Sequence, residues 1–400
     1  MISANSATPF QMPPSKNYSV LQQCTRCLKI QSASSRRHLS STASFPRPPP
    51  PPSSKYAHLP TRRLVSLYGQ DAPHFLQGLI TSNIPSSSTT SGHYSAFLNA
   101  AGRVLYDVFI YPTTHSKKYK NTVSGLDSDD PGFLIEVDAN EAENLAKHLR
   151  RFKLRAKVGI RVLEQEEWGV WTTWSDRNDF EGSDVWCLDN RAPGMGYRVV
   201  ASRKEPPQNG GEATLVSYEL RRMMMGVAEG QGEILKELAL PQESNIDYMG
   251  GIDFRKGCYV GQELTIRTHH TGVVRKRILP VVICDAGERS RLAEYETWPL
   301  PPRGANISRV DKKGRSAGKW LAGVGNFGLA LCRLEVMTDA VLTTEGNTWS
   351  PEHEFKVACE SEEGGQSEEF RIEANIPDWH KERAKAQSSH RGDGGKAMSG

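Results

Sequence analysis

Acidic residues are absent from the first 70 positions of this 400-residue chain, between Met1 and Gln70. The same stretch is rich in serine and contains several cations, including Arg36 and Arg37. A basic, serine-rich and acid-free start is typical of a mitochondrial transit peptide and argues against a folded domain there. We predict a transit peptide over residues 1–39, a proline- and serine-rich linker over residues 40–60, and residence in the mitochondrial matrix.

Long apolar runs, excess charge and a cysteine framework are also lacking. No uninterrupted apolar run approaches the roughly 20 residues of a transmembrane helix, so no membrane span is predicted. The net charge is only +4, which indicates no nucleic-acid partner. The seven cysteines have no regular spacing, which excludes a disulfide scaffold and indicates a reducing compartment. Cys24 and Cys27 form a CxxC, but no second ligand pair follows, so we predict no zinc site there.

One stretch, from Asp253 to Glu263, concentrates reactive side chains. Cys258 lies between Gly257 and Gly261, and two cations, Arg255 and Lys256, stand just before Gly257. Nearby cations and a following helix N-terminus favour the thiolate form of a cysteine. A thiolate is both a nucleophile and a ligand for soft metals. We therefore predict that Cys258 is a functional thiolate and that Lys256 helps to ionise it.

The rest of the chain predicts an α+β protein with a small β-barrel at its C-terminal end. Strand patterns on both sides of residues 99–103 indicate a hairpin, and residues 142–152 have the spacing of an amphipathic helix. Residues 152–158 read as an edge strand whose cations face solvent. Short strands with glycine-rich turns predict the barrel over residues 273–376. Residues 377–400 are polar and predict a disordered tail.

The stretch Lys256–Glu263, which reads KGCYVGQE, resembles the signature of the YgfZ-type folate-binding proteins, relatives of the glycine-cleavage T-protein (aminomethyltransferase). Its continuation to Arg277 is most similar to the mitochondrial iron–sulfur cluster assembly branch, called Caf17 in fungi. The segments Phe75–Asn83 and Leu98–Arg103 resemble N-terminal elements of the T-protein. The resemblance implies a three-lobed ring, with two α+β lobes over residues 61–272 and the barrel, around a hole that takes tetrahydrofolate.

The resemblance also implies site residues, and the chain departs from the T-protein pattern at catalytic carboxylates. The residues that match the family as cofactor-binding positions are Arg222, Glu243, Gly257, Tyr259, Gly261 and Gln262. The paired aspartates of the T-protein read here as Tyr106 and Asp107, and Met224 stands where the T-protein has a glutamate. Proton transfer in aminomethyl transfer needs positioned carboxylates, so this activity is not predicted.

Two hypotheses from different classes follow. In the first, the protein is a matrix assembly factor that engages an iron–sulfur cluster transiently through Cys258. One cysteine cannot hold a cluster, so partner thiolates or glutathione would complete the ligand set. The resemblance implies A-type scaffold proteins as partners and [4Fe–4S] proteins such as aconitase and lipoate synthase as clients. In the second, the protein is a tetrahydrofolate-dependent one-carbon transferase that uses Asp107 and Glu243 as carboxylates on an unknown acceptor.

A third hypothesis, a nucleic-acid patch formed by His269, His270 and the cations Arg275–Arg277, is disfavoured. Adjacent histidines do not share one helical face, and the basic residues lack interleaved aromatic side chains.

Overall fold

The computed structural model describes residues 54–84, 91–116, 119, 130–175, 185–203, 207, 211–284, 300–311, 314–342, 349–359 and 368–394. The predicted transit peptide, the CxxC pair and most of the predicted linker lie outside these residues. Among the described residues, no helix has both the length and the apolar character needed to cross a membrane.

Two five-stranded sheets form the N-terminal part of the fold. The first is antiparallel, with the strand order β3 (His93–Leu98), β4 (Val104–Pro112), β5 (Gly132–Asp138), β2 (Arg62–Tyr68) and β6 (Gly159–Val162). The second has the order β10 (Gly211–Glu212), β1 (Ser54–His58), β7 (Trp168–Ser175), β9 (Tyr197–Ser202) and β8 (Val185–Leu188). Only the β1–β10 pair of this second sheet is parallel.

The C-terminal part is a closed barrel, as the sequence predicted. Its strands are, in order around the barrel, β11 (Lys276–Cys284), β14 (Phe327–Arg333), β13 (Gly318–Val324), β12 (Asn306–Arg309), β15 (Phe355–Cys359) and β16 (Glu368–Ala374), and β16 pairs with β11. The described helices are α1 (Ala72–Gln77), α2 (Ala142–Phe152), α3 (Leu215–Met224), α4 (Gln262–Thr271), α5 (Leu334–Met337) and α6 (Asp378–Gly394), and a 3₁₀ turn (Ala139–Glu141) precedes α2.

Three large apolar cores hold these layers together, and a small fourth cluster packs α3 against the barrel. The largest contains side chains from both sheets and from the barrel, for example Leu64, Val170 and Leu329, so it joins the three lobes. A second core packs α1 and α2 against the first sheet, and buried Leu145 and Leu149 of α2 belong to it. The third fills the barrel. The predicted α+β class with a C-terminal barrel is confirmed.

Three local predictions are wrong. The predicted strand over residues 152–158 is a turn, because Leu154 adopts a left-handed φ of +35° and strand β6 begins only at Gly159. The predicted linker over residues 40–60 contains β1, which pairs with β7. The predicted tail over residues 377–400 is helical in α6, because its first turn is anchored by Trp379, whose indole donates a hydrogen bond to the Met225 carbonyl (3.0 Å).

Candidate functional site

Exposure separates Cys258 from the three other cysteines whose side chains the structure describes. Cys258 is exposed, whereas Cys187, Cys284 and Cys332 are buried. Burial also raises the pKa of the Cys187 and Cys332 thiols, which keeps them protonated and unreactive. Among the four cysteines whose side chains the structure describes, Cys258 is therefore the one that a partner or reagent can reach.

The Cys258 turn, residues 257–261, is seated on the first sheet by main-chain contacts. The Val260 amide donates to the Gly78 carbonyl at the end of α1 (3.1 Å). Gly261 has a φ of +79° and precedes α4, and a Cβ at this position would lie 2.2 Å from the Asn99 carbonyl oxygen. Only glycine permits this backbone and this close approach. The close contact between Gly261 and Asn99 thus holds the turn against the β3–β4 hairpin, which is distant in sequence.

The flanking residues of the motif stabilise this turn. The Gln262 side-chain oxygen accepts a hydrogen bond from the Tyr259 amide (3.1 Å), which closes the turn in front of α4. Tyr259 is buried, and the Lys256 ammonium lies 5.1 Å from the centre of its ring. A Cβ added at Gly257 would meet no atom within 4 Å, so this position faces open space. These positions, which the sequence analysis assigned to a cofactor, lie together in the turn.

The Lys256 side chain is hydrogen-bonded to three backbone carbonyls. Its ammonium donates to the carbonyls of Gln77 (2.8 Å), Ile80 (2.7 Å) and Ser82 (2.7 Å). Three acceptors use all three protons of an ammonium group. The described geometry therefore assigns Lys256 to holding the Cys258 turn on the α1 end, and the predicted help in ionising Cys258 stays a prediction.

Asp107 lies inside a buried cluster of charges. One carboxylate oxygen is 3.3 Å from an Arg62 nitrogen, and the other accepts from the Gly230 amide (3.0 Å). The cluster contains three arginines and four carboxylates: Arg62, Arg191, Arg198, Asp107, Glu136, Asp189 and Glu229. Fully ionised, it would have one excess negative charge.

Protonation of Asp107 would relieve this excess charge. Burial raises the pKa of Asp107, and the neighbouring Arg62 guanidinium only partly opposes that rise. Glu229 is also buried, yet Arg198 and Arg191 hold its pKa well below the usual range. Asp107 therefore favours its neutral form more than an exposed aspartate does. It is fully buried and hydrogen-bonded, and its predicted catalytic role stays a prediction.

Arg222 lines a small cavity of about 170 Å³ beside this cluster. Its guanidinium makes two hydrogen bonds of 2.6 Å to the two carboxylate oxygens of Glu233 and a third to the Val227 carbonyl (3.1 Å). A typical small-molecule pocket has about 300–1,000 Å³. The cavity is thus too small for a folate, and the arginine is already neutralised.

Glu243 lines a different and larger groove of about 430 Å³ between the lobes and the barrel. Tetrahydrofolate combines flat rings with a glutamate tail that bears two carboxylates. The groove has apolar walls, and its four cations outnumber its two acids, Glu233 and Glu243. The walls and cations that match these parts are Leu240, Ile278, Leu321, Leu331, Arg103, Lys276, Lys319 and Arg333. The groove therefore fits a folate in size and chemistry, although Arg222 does not line it.

The structure thus does not bring the predicted site residues into one site. They divide into the Cys258 turn, the small Arg222 cavity, the Glu243 groove and the buried cluster around Asp107. Within the described part of the chain, no group of three or more His, Cys, Asp or Glu side chains could hold a metal ion.

The sequence analysis missed the partners of Asp107. Their signal was a charged residue within a mostly buried strand pattern, as with Glu136 in β5 and Arg198 in β9.

Comparisons with known proteins agree with this architecture. Residues 275–382 match the family described as the CAF17 C-terminal beta-barrel domain. The iron-sulfur cluster assembly factor IBA57 homolog, mitochondrial, of Neosartorya fischeri is 46% identical over 404 residues, which covers 90% of this chain and 89% of that protein. The protein with the same name from Pyricularia oryzae is 48% identical over 351 residues, 84% of this chain and 87% of its own length.

A solved structure supports the fold. The glycine cleavage system aminomethyltransferase T from Bartonella henselae superposes with a TM-score of 0.54 at 10% sequence identity, covering 82% of this chain and 86% of that chain. At this identity the likeness establishes the fold alone.

Proposed function

Since the chain belongs to the family of the mitochondrial iron–sulfur cluster assembly factors, we propose that it acts in the mitochondrial matrix in the maturation of [4Fe–4S] proteins, such as aconitase and lipoate synthase, together with A-type scaffold proteins. The observation that carries this proposal is the exposed Cys258, held on a turn with rigid main-chain contacts. A soft thiolate at such a place is suited to an iron–sulfur cluster.

The cluster is cargo in this proposal. Cys258 supplies one ligand, and the other ligands come from the partner, since no group of three or more His, Cys, Asp or Glu side chains among the described residues could hold a metal ion. The Lys256 and Gly261 contacts keep the turn in one conformation, so the thiol needs little reorganisation when the partner arrives.

Tetrahydrofolate is the ligand that we propose for the Glu243 groove. When bound, it would supply a one-carbon carrier, and the apolar walls and cations of the groove would hold its rings and its tail. Turnover on this carrier is less well supported than cluster assembly. Asp107 is buried and engaged, and Glu243 lies 3.4 Å from the Lys276 ammonium, which leaves no free positioned carboxylate among the predicted pair.

Transfer of a cluster to a client tests the proposal. Purified protein is mixed anaerobically with a cluster-loaded A-type scaffold and apo-aconitase, and aconitase activity is followed. We expect wild type to raise the rate of activation and Cys258→Ser to abolish that increase. Cys284→Ser is the matched control, since it removes a buried thiol and should behave as wild type. Full activation by Cys258→Ser would contradict the proposal.

A further inference from the structure

A concave surface adjoins the Cys258 turn on the outer side of the first sheet. We call it the α2 groove. It has a volume of about 510 Å³. Val260 of the turn lines one part of it, and Lys147, Arg151 and Phe152 of α2 line another. The surface that presents Cys258 and the surface of α2 are therefore continuous.

The α2 groove has an excess of positive charge. Its lining includes Lys147, Arg151 and Lys236, against one acid, Glu237. Lys236 is paired with Glu141 (2.7 Å), which is not itself part of the lining. Within the described residues, the side chains of Lys147 and Arg151 form no ion pair or hydrogen bond, and both are exposed. Cations without partners at the edge of a groove attract an acidic surface.

The groove continues into a loop that exposes apolar side chains. Leu154 is 92% exposed, and Phe152 is 40% exposed. The backbone of Leu154 has a φ of +35°, a conformation that is unfavourable for a leucine. Exposed Lys153 and Arg155 flank it. The chain thus holds a leucine in solvent, in a strained conformation and between two cations, although glycine would suit this backbone better.

We propose that the α2 groove and the Leu154 loop are the docking surface for an acidic face of the protein that delivers the cluster to Cys258. This inference rests on the proposed function. Phe152 and Leu154 become buried against the partner. Four cations attract and orient its acidic face: Lys147, Arg151, Lys153 and Arg155. A concave groove next to the reactive thiol fits a protruding protein surface better than it fits the plane of a membrane.

Two variants test the charge and the apolar contact separately, with the A-type scaffold as the probe. Binding is measured at about 0.15 M and at higher ionic strength, where screening is stronger. We expect Arg151→Glu combined with Lys153→Glu to weaken binding roughly tenfold or more at the lower salt. The matched control is Lys381→Glu combined with Arg383→Glu, which reverses two exposed cations on α6 and should bind as wild type.

Leu154→Gly separates binding from stability. Glycine relieves the left-handed backbone and removes a side chain with almost no packing, so the midpoint of thermal unfolding should not fall. We expect binding of the scaffold to weaken by about tenfold, because the buried leucine contact is lost. A lower unfolding midpoint together with unchanged binding would show that Leu154 is structural and would overturn the docking role.

The remaining outcomes distinguish this inference from the proposed function. Scaffold affinity that is equal in wild type and in both groove variants would overturn the docking surface alone, and Cys258→Ser at saturating scaffold would still test cluster transfer. Absence of scaffold binding to wild type would overturn both the docking surface and the proposed function. Co-sedimentation of wild type, but not Leu154→Gly, with anionic phospholipid vesicles would assign the surface to a membrane and overturn the proposal.

Discussion

Gly261→Ala is the substitution whose effect the structure determines most closely. The left-handed φ of +79° alone costs an alanine about 1–2 kcal/mol. The new Cβ would lie 2.2 Å from the Asn99 carbonyl oxygen and 2.9 Å from the Leu98 Cβ, both in the β3–β4 hairpin. Relieving such an overlap by moving backbone costs about 1–3 kcal/mol more. We therefore expect the free energy of unfolding to fall by about 2–5 kcal/mol.

Gly257→Ala is the matched control four residues away. A Cβ there would meet nothing within 4 Å, so its effect should stay within about 0.5 kcal/mol. Urea unfolding followed by tryptophan fluorescence gives both values. Modification of Cys258 by a thiol reagent should change in Gly261→Ala and not in Gly257→Ala, because only the former unseats the turn. Equal stability of the two variants would refute the close contact between the turn and the hairpin.

Two further predictions concern buried charges near the barrel. Arg277→Met leaves the buried Asp247 carboxylate without its two guanidinium bonds (2.8 and 2.9 Å) and should cost about 3–5 kcal/mol in urea unfolding, whereas Asp247→Asn combined with Arg277→Met should recover part of the loss. Burial, reinforced by Arg277, lowers the pKa of His380 to about 3, so the unfolded chain binds a proton between pH 6.5 and 3 that the folded chain does not. The free energy of unfolding should thus fall as the pH falls, and His380 should account for about 2 kcal/mol of the loss at pH 5. His380→Phe should lack this part of the pH dependence. An unchanged slope in His380→Phe would contradict the assignment.

Sequence patterns correctly predicted the elements that are determined by residues close together in the chain. The spacing of Leu145 and Leu149 predicted α2, and the glycine-containing turn at residues 99–103 predicted the hairpin. In each of these cases the neighbours in sequence supply the packing or the turn that decides the structure.

Sequence patterns gave wrong or incomplete predictions for features that depend on contacts between residues far apart in the chain. Lys256 follows an aspartate and an arginine and precedes the cysteine, but its actual partners are carbonyls near residue 80, which no local pattern reveals. The polar composition after Pro377 suggested disorder, but Trp379 and His380 are buried against other elements and anchor the first turn of α6. The separation of Arg222 from Glu243 likewise depends on the arrangement of the lobes.

Protection of the Cys258 thiol tests the central claim most directly. Iodoacetamide labelling followed by mass spectrometry should modify Cys258 well before the buried Cys187, Cys284 and Cys332 in the free protein. We expect cluster-loaded A-type scaffold to block the labelling of Cys258 and cluster-free scaffold to slow it much less, since docking beside the turn covers the sulfur only in part whereas the cluster ligates it. Equal labelling of Cys258 with both forms of the scaffold would contradict a cluster-binding role for this thiol.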